Sequence, residues 1–123
     1  MIVRFSLPMP PSTNNLYANA GKGRVKTTAY RNWQSRAGWE MKAQWPTLPH
    51  LAGDLECRIM LAASSRIDVD NIKALPDLLT LMRVIDDDKQ IKLLTIDGRG
   101  ALDHGRCEVS LLVLVGEKGD GIQ

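Results

Sequence analysis

Residues 54–62 read Asp-Leu-Glu-Cys-Arg-Ile-Met-Leu-Ala, with an apolar side chain at every second position. Successive side chains of a strand point to opposite faces. Leu55, Cys57, Ile59 and Leu61 therefore share one face, and Glu56, Arg58 and Met60 share the other. Residues 106–115 repeat the pattern with Cys107, Val109, Leu111 and Val113. Residues 2–7 do so with Val3, Phe5 and Leu7, before Pro8, Pro10 and Pro11 stop the strand. Strands of this kind are apolar on one side only, so the fold must supply helices to cover that side.

Two stretches can supply them. Thr28 is placed to cap a helix running to about residue 45, in which Tyr30, Trp33, Ala37 and Met41 recur at three- and four-residue steps. Those spacings predict core packing for Tyr30 and Trp33 rather than a platform for bases. Ile72, Leu75, Leu79 and Met82 predict a second helix, with Pro76 in its first turn or at a kink. Residues 91–96 read as a third strand, Gly98, Gly100 and Gly105 as punctuation of a loop, and 106–115 as the fourth strand. Residues 12–26, rich in Ser, Asn and Gly, read as a loop, and the polar tail from Gly116 as frayed. The predicted class is α+β: a mixed four-stranded sheet with two packed helices in β-α-β-α-β-β order. A chain of 123 residues makes a single domain, 1–123.

Composition excludes several classes. The chain is 24% charged and 44% hydrophobic, which rules out disordered and fibrous proteins. No apolar run approaches the ~20 residues of a membrane-spanning helix. The start of the chain lacks the pattern of a signal peptide, so the expected location is cytoplasmic, with no membrane partner. Cys57 and Cys107 form no Cys-x-x-Cys pair and are expected as reduced core thiols. His50 and His104 are the only histidines, too few for a zinc cluster, and Asp103-His104 beside Gly105 reads as a turn.

The net charge of +2 conceals a division. Residues 1–50 hold seven Lys/Arg against Glu40 alone, a balance of +6, whereas residues 51–123 hold nine basic and thirteen acidic residues, a balance of −4. The first half suits a polyanion, and the second gathers acids. Six aspartates fall between positions 68 and 88. In extended backbone, Asp68 and Asp70 point the same way, and two carboxylates held together repel unless a cation lies between them. Hard oxygen ligands favour Mg²⁺ or Mn²⁺. Asp86, Asp87 and Asp88 follow the second helix, which can return them beside that pair. On spacing alone, Asp70 or Asn71 as a helix cap, and 86–88 as a solvated turn, remain open.

The run Asp68-Val-Asp-Asn-Ile-Lys73, followed by Ala-Leu-Pro-Asp77-Leu-Leu, resembles the Asp-x-Asp-Asn-x-x-Lys…Asp-Ala-Leu signature of the RusA family of Holliday-junction resolvases. Ile85-Asp-Asp-Asp88-Lys-Gln90-Ile91 is similar to that family's Asp-Asp-x-Gln-Val block. Leu7-Pro-Met-Pro-Pro-Ser-Thr-Asn14-Asn15-Leu-Tyr17 is similar to its Leu-Pro-x-Pro-Pro-Ser-x-Asn start. The resemblance implies a homodimeric, Mg²⁺-dependent endodeoxyribonuclease acting on four-way junctions or other branched DNA, with Mn²⁺ as a substitute ion, in DNA recombination and repair. It maps the catalytic, metal-holding acids to Asp68, Asp70 and Asp88 and the catalytic lysine to Lys73. Asp87 and Asn71 match motif positions without an assigned role. Only Ile72 separates Asn71 from Lys73, where the family has two residues, so a one-residue deletion near 72 is implied. The family's arginines before the first acid are reduced here to Arg66.

Backbone contacts to DNA are expected from Arg66, from Lys22, Arg24 and Lys26 of the N-terminal loop, from Arg31 and Arg36 of the first helix, and from Asn15. Two other functions fit part of the pattern. One is a junction- or DNA-binding relative with weak catalysis, and the other is a metal-dependent phosphohydrolase of small substrates. The +6 first half argues against the latter.

Overall fold

The computed structural model describes residues 2–12, 16–21, 23–62, 73–103 and 105–114. Among the described residues six strands and two helices occur in the order β1 (Ile2–Pro8), β2 (Tyr17–Ala20), β3 (Gly23–Lys26), α1 (Thr28–Gln44), β4 (Leu55–Ala62), α2 (Ala74–Leu81), β5 (Ile91–Gly100) and β6 (Arg106–Val113), with a 3-10 turn at Asp88–Gln90. Four strands form one mixed sheet, ordered β1-β6-β4-β5. β6 runs antiparallel to both β1 and β4, and β5 runs parallel to β4. A parallel neighbour requires a crossover, and α2 lies in it. The predicted α+β class and its four-stranded mixed sheet with two helices are present.

The alternation puts Val3, Phe5 and Leu7, then Cys107, Val109 and Leu111, then Leu55, Cys57 and Ile59 on one buried face. The apolar stripe of α1 joins the same core with Tyr30, Trp33, Ala37 and Met41, and α2 adds Leu75, Leu78 and Leu79. The opposite face is polar. Arg58 pairs there with the buried Glu56 at 2.8 Å, and Arg4 donates to Ser110 Oγ at 3.3 Å.

One border of the sheet is sealed by side chains of α1. Trp33 Nε1 donates to Pro8 O (2.9 Å), Trp45 Nε1 to Arg4 O (3.0 Å) and Gln44 Nε2 to Ser6 O (2.7 Å). Ser6 N donates back to Gln44 Oε1 at 2.7 Å. The outer backbone of β1 is thereby paired without another strand. At the other border no strand pairs with the outer edge of β5 among the described residues, and Leu93 and Leu94 stand about half exposed there.

Three expectations change in detail. The expected loop at 12–26 contains the β2–β3 hairpin, whose turn starts at Gly21 with φ of 58°. Four-residue strands that are mostly exposed carry no alternation to detect. The α1 cap is Thr27 rather than Thr28, because Thr27 is the residue with extended backbone, and its Oγ1 accepts from Tyr30 N at 3.1 Å. Lys73 stands at the start of α2 with Pro76 in the first turn, and the expected caps Asp70 and Asn71 lie outside the described residues. β5 runs on through Gly98 and Gly100 instead of ending at 96. A Cβ on Gly100 would lie 2.7 Å from Leu61 O, so glycine there permits the close approach of β4 at a register shift. Val115, His104 and the tail lie outside the described residues. Arg106 N donates to Asp103 O at 3.1 Å, closing the turn expected there.

Cys57 and Cys107 are free and buried, and burial pushes both thiols up to about 12. The unfolded chain releases these protons near pH 9 and the folded chain near 12, so rising pH favours the unfolded state between those values. Each thiol is expected to cost about 1.4 kcal/mol of stability per pH unit in that window. Urea midpoints at pH 8 and pH 10.5 check this, and an unchanged midpoint would overturn it. Both thiols should also resist alkylation until the chain unfolds.

Candidate active site

The acids are delivered by the way α2 ends. Arg83 takes a left-handed conformation, φ 61°, just past the helix C-cap at Met82. Val84 N donates to Leu79 O (3.0 Å) and Arg83 N to Thr80 O (3.1 Å). This is the paired bonding of a Schellman motif, with buried Val84 packed back on the helix. The chain reverses there, and Asp86, Asp87 and Asp88 emerge beside the helix they have just left.

They line a cleft of about 530 Å³ together with Asp77 and Thr80 of α2. Its opposite wall is Tyr17 of β2, Lys26 of β3, and Tyr30 and Gln34 of α1. Aromatic rings hold one cation on that wall and a second beside it. The Arg24 guanidinium sits 5.0 Å from the Tyr17 ring centroid, and Lys26 Nζ sits 5.5 Å from that of Tyr30. Lys26 also donates to Gln34 Oε1 at 3.2 Å. Tyr30 Oη donates to Asp77 Oδ2 at 3.5 Å. Burial, and then the charge of Asp77, push Tyr30 up to about 12, so it remains a donor at any ordinary pH.

The three adjacent acids differ in circumstance. Asp86 Oδ1 pairs with His50 Nε2 at 2.9 Å, at the outer side. Asp87 accepts from Lys89 N at 2.9 Å, which holds its carboxyl below the usual carboxylate range. Asp88 is pushed the other way, first by its hydrogen bond with Asp87 and then by burial and by the charges of Asp87 and Asp77. The contact between the two carboxyls thus lowers Asp87 and raises Asp88. A hard divalent cation beside these carboxylates would offset their mutual repulsion, and oxygen donors of this kind fit Mg²⁺. Among the described residues no group of three or more His, Cys, Asp or Glu side chains is arranged to hold a metal.

The remaining expected site residues are distributed as follows. Asp68, Asp70, Asn71, Arg66, Asn15 and Lys22 lie outside the described residues. Lys73 is exposed at the N-cap of α2, four residues before Asp77, and positions four apart share a helix face. Arg31 lies on α1 in a groove adjoining the cleft. Arg36 is turned elsewhere and pairs with Glu40 at 3.1 Å. Glu40 also receives Arg106 at 2.8 Å.

Gln90 does work that its place in the motif does not disclose. Its Oε1 accepts from Asp86 N (2.7 Å) and Asp87 N (3.2 Å), while its Nε2 donates to Leu51 O and Gly53 O, both at 3.0 Å. One amide therefore fastens the acidic loop to the segment that precedes β4. Tyr17 and Tyr30 as holders of cations, and Asp77 as a wall of the cleft, also carry no signal in residue spacing. Gln90→Ala removes four hydrogen bonds and should cost about 2 kcal/mol of stability. The amides of Asp86 and Asp87 should then exchange with solvent faster than in the wild type. Unchanged exchange at those two amides would show that the loop does not depend on Gln90.

The cleft, its paired acids and its ring-held cations lie within a stretch that known sequences already describe. The family model for endodeoxyribonuclease RusA matches residues 8–111 of the 123. No individually curated protein matches the chain. The match takes in every element from the end of β1 to the middle of β6, and the chain belongs to the RusA family of endodeoxyribonucleases.

Proposed function

We propose that this chain is a Mg²⁺-dependent endonuclease that resolves four-way junctions and other branched DNA by paired nicks, in DNA recombination and repair. The observation that carries the proposal is the adjacent Asp87 and Asp88 carboxyls in a cleft lined also by Asp77 and Lys26, with Arg24 held beside it on the Tyr17 ring. Acids that need a cation, opposite cations that attract phosphate, suit a phosphodiester substrate better than either half alone would.

In this mechanism Asp88, with Asp68 and Asp70, would hold the ion. A divalent cation bound there supplies charge neutralisation at phosphate and a water of lowered pKa. Lys73 offsets the charge that builds on the phosphate oxygens during displacement. Lys26 and Arg24 hold the flanking backbone, kept in place by Tyr30 and Tyr17. Tyr30, protonated throughout, fixes the orientation of Asp77. The expected homodimer sets two such sites against the two-fold related strands of a junction, so that the nicks come in pairs.

Incubation with a synthetic four-way junction, with and without Mg²⁺, and mapping of the nicks tests the function. Asp88→Asn should abolish cleavage while preserving or tightening metal-free junction binding. A folded Asp88→Asn protein that loses binding as well would make Asp88 a structural acid. Lys73→Ala should slow single-turnover cleavage at saturating Mg²⁺ at least tenfold, about 1.4 kcal/mol, with junction affinity little changed. A larger loss in Lys89→Ala would move the lysine role to the acidic loop.

A further inference from the structure

Trp39 is 77% exposed, although the other two tryptophans are engaged with the edge of β1. A lone exposed leucine is ordinary, but a tryptophan held in water forgoes an unusually large burial. Its surroundings are not those of a chance surface residue. Positions 31, 35, 39 and 42 advance by four, four and three along α1, so Arg31, Ser35, Trp39 and Lys42 form one stripe. The stripe borders a groove of about 580 Å³ between α1 and the end of α2. Met82 packs closely on Gly38 in the floor, where a Cβ would lie 3.0 Å from Met82 Sδ. The charged residues that line the groove are Arg31 and Lys42, both cations.

The groove is continuous with the acid cleft, because Gln34 and Leu81 line both. We infer that this groove receives an unstacked nucleotide of the DNA strand leaving the cleft, with its base on the Trp39 ring and its neighbouring phosphates on Arg31 and Lys42. Aromatic side chains stack bases without regard to sequence, and a groove lined by cations tracks the backbone. The stripe from Arg31 to Lys42 spans about 16 Å of helix, room for more than one nucleotide. A base inside a continuous duplex has both faces covered by its neighbours. The groove therefore selects strands at a branch or an end, where a face is free. The inference rests on the endonuclease function and names the residue by which that site would recognise branched structure.

The test uses a four-way junction carrying 2-aminopurine at the branch, and a linear duplex of the same sequence, both without metal. Wild-type protein should quench the 2-aminopurine and bind the junction more tightly than the duplex. Trp39→Ala should lose the quench and at least tenfold in junction affinity, with duplex affinity changed less than twofold. Trp39→Phe should recover most of the loss, and Lys42→Gln should lower the salt slope by about one. If wild type nicks junctions but Trp39→Ala binds them normally, the inference fails and the endonuclease function stands. If Trp39→Ala instead converts a dimer to a monomer in sedimentation, the groove is a protein interface and the inference also fails. If wild type neither binds nor nicks branched DNA, the function beneath the inference falls and takes it along.

Discussion

Four hydrogen bonds between α1 side chains and the outer backbone of β1 decide where everything else can go. A strand edge must be paired, charged or covered, and here a helix covers it with two indoles and one amide. With α1 fixed against that edge, its orientation about its own axis is fixed too. Tyr30, Trp33, Ala37 and Met41 must then face the core, and the remaining sides follow from 3.6 residues per turn. Tyr30 reaches the cleft from the core side through its hydroxyl, while Arg31, Ser35, Trp39 and Lys42 are left facing outward.

The acidic loop depends on a second set of backbone constraints. A left-handed residue ends α2 and reverses the chain, and Gln90 then holds the loop by both ends of its amide. Like charges placed side by side would otherwise drive the loop open, so the fastening has to be strong where the carboxylates are close. Asp86, Asp87 and Asp88 have the same chemistry but different partners: an imidazole, a backbone amide and a neighbouring carboxyl. Environment, not residue type, separates their roles.

The sheet was legible because burial on one face writes itself into every second residue. Leu55, Cys57, Ile59 and Leu61 could not have been apolar together by the needs of a loop. The β2–β3 hairpin left no such trace, since nearly all of its side chains face water. Gly98 and Gly100 misled for a different reason. Glycine marks turns by its freedom, but at Gly100 it is required by its smallness, and composition does not distinguish the two uses. In the cleft, Asp88 was accessible through its motif position. The task of Gln90 was not, because its partners Leu51 and Gly53 are 39 and 37 residues away in sequence. Trp39 was not either, because one exposed aromatic among buried ones alters no periodicity.

The two borders of the sheet are treated unequally, and this gives the molecule a direction of growth. β1 has no backbone groups left to offer at the positions that α1 occupies, whereas among the described residues β5 ends the sheet with Leu93 and Leu94 half exposed on opposite faces. Any strand recruited to this sheet, whether from its own chain or from another, must therefore arrive at β5. The border beside α1 works as a stop, and the sheet can lengthen only from the side remote from that helix.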